Sequence, residues 1–170
     1  MGLHIGDCLP DGVLRESNGL DENTGCSLKP EIIPVTSALK GKKLVIFGVP
    51  GAYTPTCSAQ HLPGYLEHHA ALKAQGVDEI WCLSVNDAFV MAAWGRERGA
   101  QGKIRMMADG SATYTRQLGL AQDLTDKGLG VRCQRFAMIV DDGIITYLAV
   151  EAPGQFEGSK AEAVLTALQS

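Results

Sequence analysis

The sequence predicts an α/β fold, a mixed central sheet with helices on both faces. Two observations carry this. Short apolar runs bounded by turn residues, KLVIFGV at Lys43–Val49 and EIWCLSV at Glu79–Val85, have the composition of strands buried on both sides. Stretches with helical periodicity alternate with them, and near the end the order changes to two adjacent strand-like segments and a helix.

In chain order, the polar, turn-rich stretch Glu16–Pro30 reads as an excursion within an N-terminal β-hairpin. After the strand at Lys43–Val49, Ser58–Gln75 is helical, with a bend or restart expected at Pro63 because proline removes a backbone donor. Asn86 or Asp87 can cap a helix running to about Arg98. A short strand follows at Ile104–Ala108, then a helix from about Ser111 to Leu118. Arg132–Val140 and Ile144–Val150 are strand-like and are joined by Asp141-Asp142-Gly143, a hairpin signal. A last amphipathic helix spans about Ser159–Leu168. The closing β-β-α is that of a thioredoxin-like fold, and residues 1–170 are expected to form one such domain.

Composition narrows the function classes. The chain has 170 residues, 45% hydrophobic and 20% charged, with 15 basic against 19 acidic side chains and a net charge of −4. No cluster of Lys and Arg suggests a nucleic-acid surface. No apolar run approaches the roughly 18 residues that a membrane span needs. The opening MGLHIGDCLP lacks a basic region followed by an apolar one, so a cytoplasmic protein is expected. The five cysteines are odd in number, widely spaced and without C-x-x-C, unlike a disulfide scaffold. Paired ligands at metal spacing are missing as well, so no metal site is expected. What remains is a set of free thiols, and the question of which one reacts.

The stretch GVPGAYTPTCS, Gly48–Ser58, leaves a buried strand and enters a helix. Such a turn lies at the carboxyl edge of the sheet, where open α/β folds place their sites. Pro50, Gly51 and Pro55 stiffen it, and Cys57 falls in the first helical turn, where unpaired amides and the helix dipole favour an anion. For a thiol, that environment raises the thiolate fraction at pH 7 by at most about 30-fold. A fast reaction at that sulfur needs more, namely donors placed where charge develops on the leaving group. Thr54, three residues earlier, presents a hydroxyl toward the same point, and an arginine from elsewhere would supply the remaining donors.

The spacing P-x-x-x-T-x-x-C, as Pro50, Thr54 and Cys57, resembles the active-site signature of the peroxiredoxins. The longer run VPGAYTPTCSAQHLPGY is similar to their type II, peroxiredoxin-five-like subgroup, as are DEIWCLSVNDAFVMAAW and Arg135-Phe136-Ala137-Met138. The resemblance implies that Cys57 is the peroxidatic cysteine, oxidised to a sulfenic acid as water or an alcohol leaves. Thr54 would bind the peroxide and the thiolate, Pro50 would shield the sulfenic acid, and Arg135 would reach back to Cys57 and the peroxide. It further implies hydroperoxide substrates, a homodimer, no metal or organic cofactor, and recycling by glutaredoxin with glutathione or by thioredoxin.

Recycling is where the sequence departs from part of that group. The resolving cysteine of the animal-type members would fall at about Ser159, so that route is missing. Plant-type members carry a second cysteine 25 residues after the first, and Cys82 matches, since 82 − 57 = 25. Cys82 lies in a predicted buried strand, which fits a packed core thiol as well as a resolving one. Cys133, two residues before Arg135, is expected on the same strand face but reads as a core or surface thiol. Cys8 and Cys26 receive no chemistry. His61 superficially forms a Cys–His pair with Cys57, but reads better as a structural hydrogen-bonder. His68 and His69 need no function. Phe89, Met91 and Trp94 read as core or dimer surface. A thiol–disulfide oxidoreductase is the first rival, and Thr54 stands where its first cysteine would be. The second is a redox sensor or holdase oxidised once at Cys57, which turnover with a reductant distinguishes.

Overall fold

The computed structural model describes residues 2–170. Its strands are β1 (Val13–Glu16), β2 (Glu31–Pro34), β3 (Lys43–Val49), β4 (Glu79–Ser84), β5 (Arg105–Ala108), β6 (Ala121–Leu124), β7 (Gly130–Cys133), β8 (Phe136–Asp141) and β9 (Ile144–Val150). The helices are α1 (Val35–Leu39), α2 (Leu62–Glu67), α3 (His69–Ala74), α4 (Ala88–Glu97), α5 (Thr113–Gln117) and α6 (Ala161–Gln169), with a π-helical turn at Cys57–His61. Seven strands make one sheet in the order β2-β1-β5-β4-β3-β8-β9, and β6 pairs with β7 apart from it.

The central strands show why the apolar runs read as they do. In β3, Val45, Phe47 and Val49 face one core together with Cys57, Tyr65, Cys82 and Trp94. Leu44 and Ile46 face the other, with Trp81, Leu83, Cys133 and Phe136. Both sides of the sheet are therefore buried, and period-two alternation sorts residues between two cores rather than between core and water. Helices α2, α3, α4 and α6 contribute to the first core, α1 and α5 to the second. Strand β3 runs parallel to β4 and antiparallel to β8, and β4 runs parallel to β5. The carboxyl ends of β3, β4 and β5 thus share one edge.

The N-terminal hairpin is present as β1–β2, with residues 17–30 as its excursion. Asp87 caps α4 by accepting from the Val90 N–H. The helical stretch after Cys57 restarts as α2 at Leu62, next to Pro63, and breaks again at His68. Pro63 sits in the first turn of α2, where its missing N–H is tolerated, while the π turn precedes it and His68 separates α2 from α3. Segments α1 and β6 were not legible, being only five and four residues long.

Arg132–Val140 is not one strand. The Gln134 N–H donates to the Leu120 carbonyl at 2.7 Å, and the Arg135 carbonyl accepts from the Glu151 N–H at 2.8 Å. These two bonds pull the chain first toward the β6–β7 ribbon and then toward the main sheet, so the strand breaks at Gln134-Arg135. The expected shared face of Cys133 and Arg135 fails for that reason. Cys133 is buried in the core opposite Cys57.

Gly48 is the tightest position in β3. A Cβ there would lie 2.1 Å from Phe136 Cε1 and 3.0 Å from Cys133 Sγ. Both neighbours are packed core side chains, so neither can swing away cheaply. Gly48→Ala is expected to destabilise the fold by about 1–3 kcal/mol or more, read as a lower urea midpoint at unchanged slope. An unchanged midpoint would contradict this packing.

Candidate active site

The turn after β3 is held at several points. The Ala52 N–H donates to Asn86 Oδ1 at 2.9 Å, and Ser84 Oγ donates to the same oxygen at 2.6 Å. Asn86, expected as a cap, instead ties the loop to the end of β4. Tyr53 adopts the left-handed region at φ 66°, a conformation that costs a non-glycine residue about 1 kcal/mol and that the surrounding bonds must maintain. The Thr54 hydroxyl donates to the Gly51 carbonyl at 2.8 Å, and the Thr54 carbonyl accepts from the Ser58 N–H at 2.9 Å, opening the helical turn. Thr54 is therefore oriented with its hydroxyl hydrogen committed and its lone pairs free to accept. Its expected contact with the sulfur is not made in this state.

The π turn carries Cys57. The Leu62 N–H donates to the Cys57 carbonyl, a wider turn than an α-helix makes. Pro63 accounts for the widening, since it cannot donate to residue 59 and its ring would crowd that carbonyl in α geometry. Trp94 Nε1 donates to Ser58 Oγ at 2.8 Å and fastens the turn to α4.

Cys57 is fully buried. Arg135, 78 positions away in the chain, donates from one terminal nitrogen to Cys57 Sγ at 3.2 Å. Its other terminal nitrogen donates to His61 Nδ1 at 2.8 Å. His61 Nε2 in turn meets the Ser159 carbonyl at 2.9 Å, so the network assigns the proton to Nε2 and leaves Nδ1 as the acceptor. That tautomer requires a neutral ring. Burial, reinforced by the Arg135 charge, lowers the His61 pKa to about 3. His61 is thus the structural hydrogen-bonder the sequence suggested, and not a base for Cys57. The His61 ring packs between Phe47, at 4.8 Å, and Phe156, at 5.0 Å between centroids.

Pro50 lies beside this group, half-buried, and its carbonyl accepts from an Arg132 terminal nitrogen at 3.3 Å. Nothing in the sequence around Arg132 marks it for this position. A Cβ on Gly51 would come within 2.8 Å of the same nitrogen, so a side chain there would displace the Arg132 fork. A cleft of about 460 Å³ lined by Pro50, Thr56, Gln60, Gln134, Arg135 and Phe156 opens over the site. A larger hollow of about 630 Å³ lies where β4 and β5 begin, toward the opposite end of the sheet, and is lined by no cysteine. Its Arg105 is neutralised by Glu16 at 2.6 Å and Glu79 at 2.8 Å.

Cys82 is buried on the same side of the sheet as Cys57. Burial, together with the nearby Cys57, pushes its thiol well above the ordinary cysteine range. Cys133 is likewise pushed up, mainly by burial. Cys8 and Cys26 are exposed and outside the group. Phe89 is 52% exposed, whereas Met91 and Trp94 are core.

A thiol buried at a strand-to-helix turn and met by a guanidinium, on a thioredoxin-like sheet, defines a thiol-based redox protein. The Redoxin family matches residues 6–165. Peroxiredoxin-2B of Arabidopsis thaliana is 48% identical over 166 residues, covering 98% of each chain. The structure of reduced Prx3 from Vibrio vulnificus in complex with hydrogen peroxide is 48% identical, with a TM-score of 0.88, covering 98% of this chain and 99% of that one. A Burkholderia cenocepacia structure provisionally named a thioredoxin reductase is 56% identical, with a TM-score of 0.92 and 98% of both chains covered. This chain lacks the C-x-x-C pair that thiol–disulfide oxidoreductases on this fold use. The chain belongs to the peroxiredoxins, in their type II group, and is a thiol-dependent peroxidase.

The neutral state of His61 has a consequence for stability. Arg135, Glu151 and Tyr65 are the ionisable groups around it. Unfolded, the imidazole takes up a proton below about pH 6.5, while folded it does so only near pH 3. The unfolded state therefore binds more protons between these values, and stability falls as pH drops through that window, by at most about 1.4 kcal/mol per pH unit from this group. Denaturant unfolding at pH 7 and pH 4 should show a larger acid loss in wild type than in His61→Gln. Equal losses would contradict a neutral buried His61.

Proposed function

We propose that Cys57 is the peroxidatic cysteine and that Arg135, Thr54 and Pro50 complete its site. The observation that carries this reading is the 3.2 Å bond from Arg135 to the buried Cys57 sulfur. The Cys57 thiolate attacks the nearer oxygen of a hydroperoxide. An S–O bond forms, the O–O bond breaks, and the other oxygen leaves as water or alcohol after taking a proton from solvent water. The sulfur becomes a sulfenic acid, oxidised by two electrons. Arg135 stays positively charged throughout, so it stabilises both the attacking sulfur and the negative charge growing on the leaving oxygen. Thr54, its hydrogen already given to Gly51, accepts from the peroxide O–H and orients it. Pro50 covers the sulfenic acid from solvent. No step is routed through a metal or organic cofactor.

Return to the thiol requires two reducing equivalents. A thiol attacks the sulfenic sulfur, water leaves, and a disulfide forms that a second thiol then reduces. Cys82 is the candidate for an internal resolving thiol, since it lies in the same core as Cys57, whereas Cys133 lies in the other. Glutaredoxin with glutathione, or thioredoxin, is the proposed external reductant. Residues 1–170 are read as one domain, acting in the cytoplasm as a homodimer.

Peroxide consumption with each reductant tests these roles. Cys57→Ser is expected to fall to background. Arg135→Ala is expected to lose about 10²–10³-fold, as removal of a donor to developing charge does. Cys82→Ser is expected to keep turnover with glutaredoxin and glutathione. Activity surviving in Cys57→Ser would overturn the assignment of the nucleophile.

A further inference from the structure

We propose that His61 is a positioning residue for the peroxidase reaction, acting as a neutral acceptor that aims Arg135 at the Cys57 sulfur. The inference rests on the role given to Arg135 above. Its basis is a closed circuit of hydrogen bonds that holds Arg135 at both ends. At the backbone, the Arg135 carbonyl accepts from the Glu151 N–H at 2.8 Å. The Glu151 carboxylate then accepts from the Ser159 N–H at 3.0 Å and from Ser159 Oγ at 2.6 Å. The Ser159 carbonyl accepts from His61 Nε2 at 2.9 Å, and His61 Nδ1 accepts from the Arg135 guanidinium at 2.8 Å. Both main chain and fork of Arg135 are fixed relative to the same short segment.

The chemical choice of partner matters as much as the geometry. An arginine fork is most often oriented by a carboxylate. In this protein Arg105 is held that way, by Glu16 and Glu79, and its charge is cancelled by them. A carboxylate in the place of His61 would set a second negative charge beside the thiolate and divide the guanidinium's charge between two anions. A neutral imidazole orients the fork and leaves the full positive charge for the sulfur and the peroxide. Burial between Phe47 and Phe156 keeps it neutral. Position 61 is thus chosen for a lone pair without a charge.

The test compares His61→Gln with His61→Leu, each in wild type and in Arg135→Ala, reading the second-order rate of Cys57 oxidation by hydrogen peroxide. Gln keeps a neutral acceptor, and Leu keeps apolar bulk among the surrounding rings. The Ser159 carbonyl retains a donor in both, since the Tyr65 hydroxyl also bonds it at 2.7 Å. If the leucine variant does not fold, His61→Met replaces it. The expected result is a loss of about 10-fold or more for Leu, and a loss no larger than about 3-fold for Gln. In the Arg135→Ala background, His61→Leu should change the rate by less than about 2-fold, because its only route to the chemistry is gone. A leucine variant as fast as wild type, a glutamine variant as slow as leucine, or equal losses in both backgrounds would overturn the inference. If Arg135→Ala itself reacts at the wild-type rate, the role of Arg135 fails first, and the role of His61 with it.

Discussion

A guanidinium at the entry to one strand must meet a sulfur at the start of a helix, and 78 positions of chain separate them. The rest of the molecule can be understood as the means of keeping that contact. Strands β3 and β8 pair antiparallel with Gly48 opposite Phe136, so the residues that follow β3 and those that precede β8 emerge side by side at one edge. Pro50 to Cys57 leaves from one strand and Arg132 to Arg135 arrives at the other. The register of a single strand pair thus fixes which arginine reaches the thiol.

Packing makes that register costly to change. Both faces of β3 are buried, so a slip of one residue would exchange the two cores. Gly48 tightens the constraint, because the Phe136 ring occupies the space a side chain would need. Polar groups obey the same discipline. Among the described residues, no buried side-chain nitrogen or oxygen lacks a hydrogen-bond partner. The His61–Ser159–Glu151 chain achieves this from the buried His61 and Ser159 out to the half-buried Glu151, and an unpaired member at its buried end would be costly. Rigid placement is what chemistry on a weak O–O bond requires. In the role proposed for Arg135, the guanidinium need not reorganise as charge develops, so its full effect would be available in the transition state.

Much of this was legible in the sequence because burial writes strong patterns. The runs at Lys43–Val49 and Glu79–Val85, the capping Asp87, the hairpin at Asp141–Gly143 and the turn leading to Cys57 each carry a local signal. What could not be read depends on partners distant in sequence. The break at Gln134-Arg135 is imposed by Leu120 and Glu151, and nothing in the run from Arg132 to Val140 marks it. Likewise, His61 looks like a partner for Cys57 by spacing, yet its ring answers to Arg135, 74 positions away. Arg132 was invisible because its target is a backbone carbonyl. Thr54 shows the opposite case. Its spacing from Cys57 was plain, but the direction of its hydroxyl, toward Gly51, is a property of the folded loop.

The most direct test of the account is chemical trapping. The reduced protein is treated with one equivalent of hydrogen peroxide in the presence of a sulfenic-acid-specific dione, then digested and mapped by mass spectrometry. A single adduct at Cys57 is expected, with Cys82 and Cys133 unmodified in their cores and the exposed Cys8 and Cys26 unreacted on that timescale. An adduct on any other cysteine, with Cys57 unmodified, would contradict the proposal that the sulfur facing Arg135 is the one that meets the peroxide.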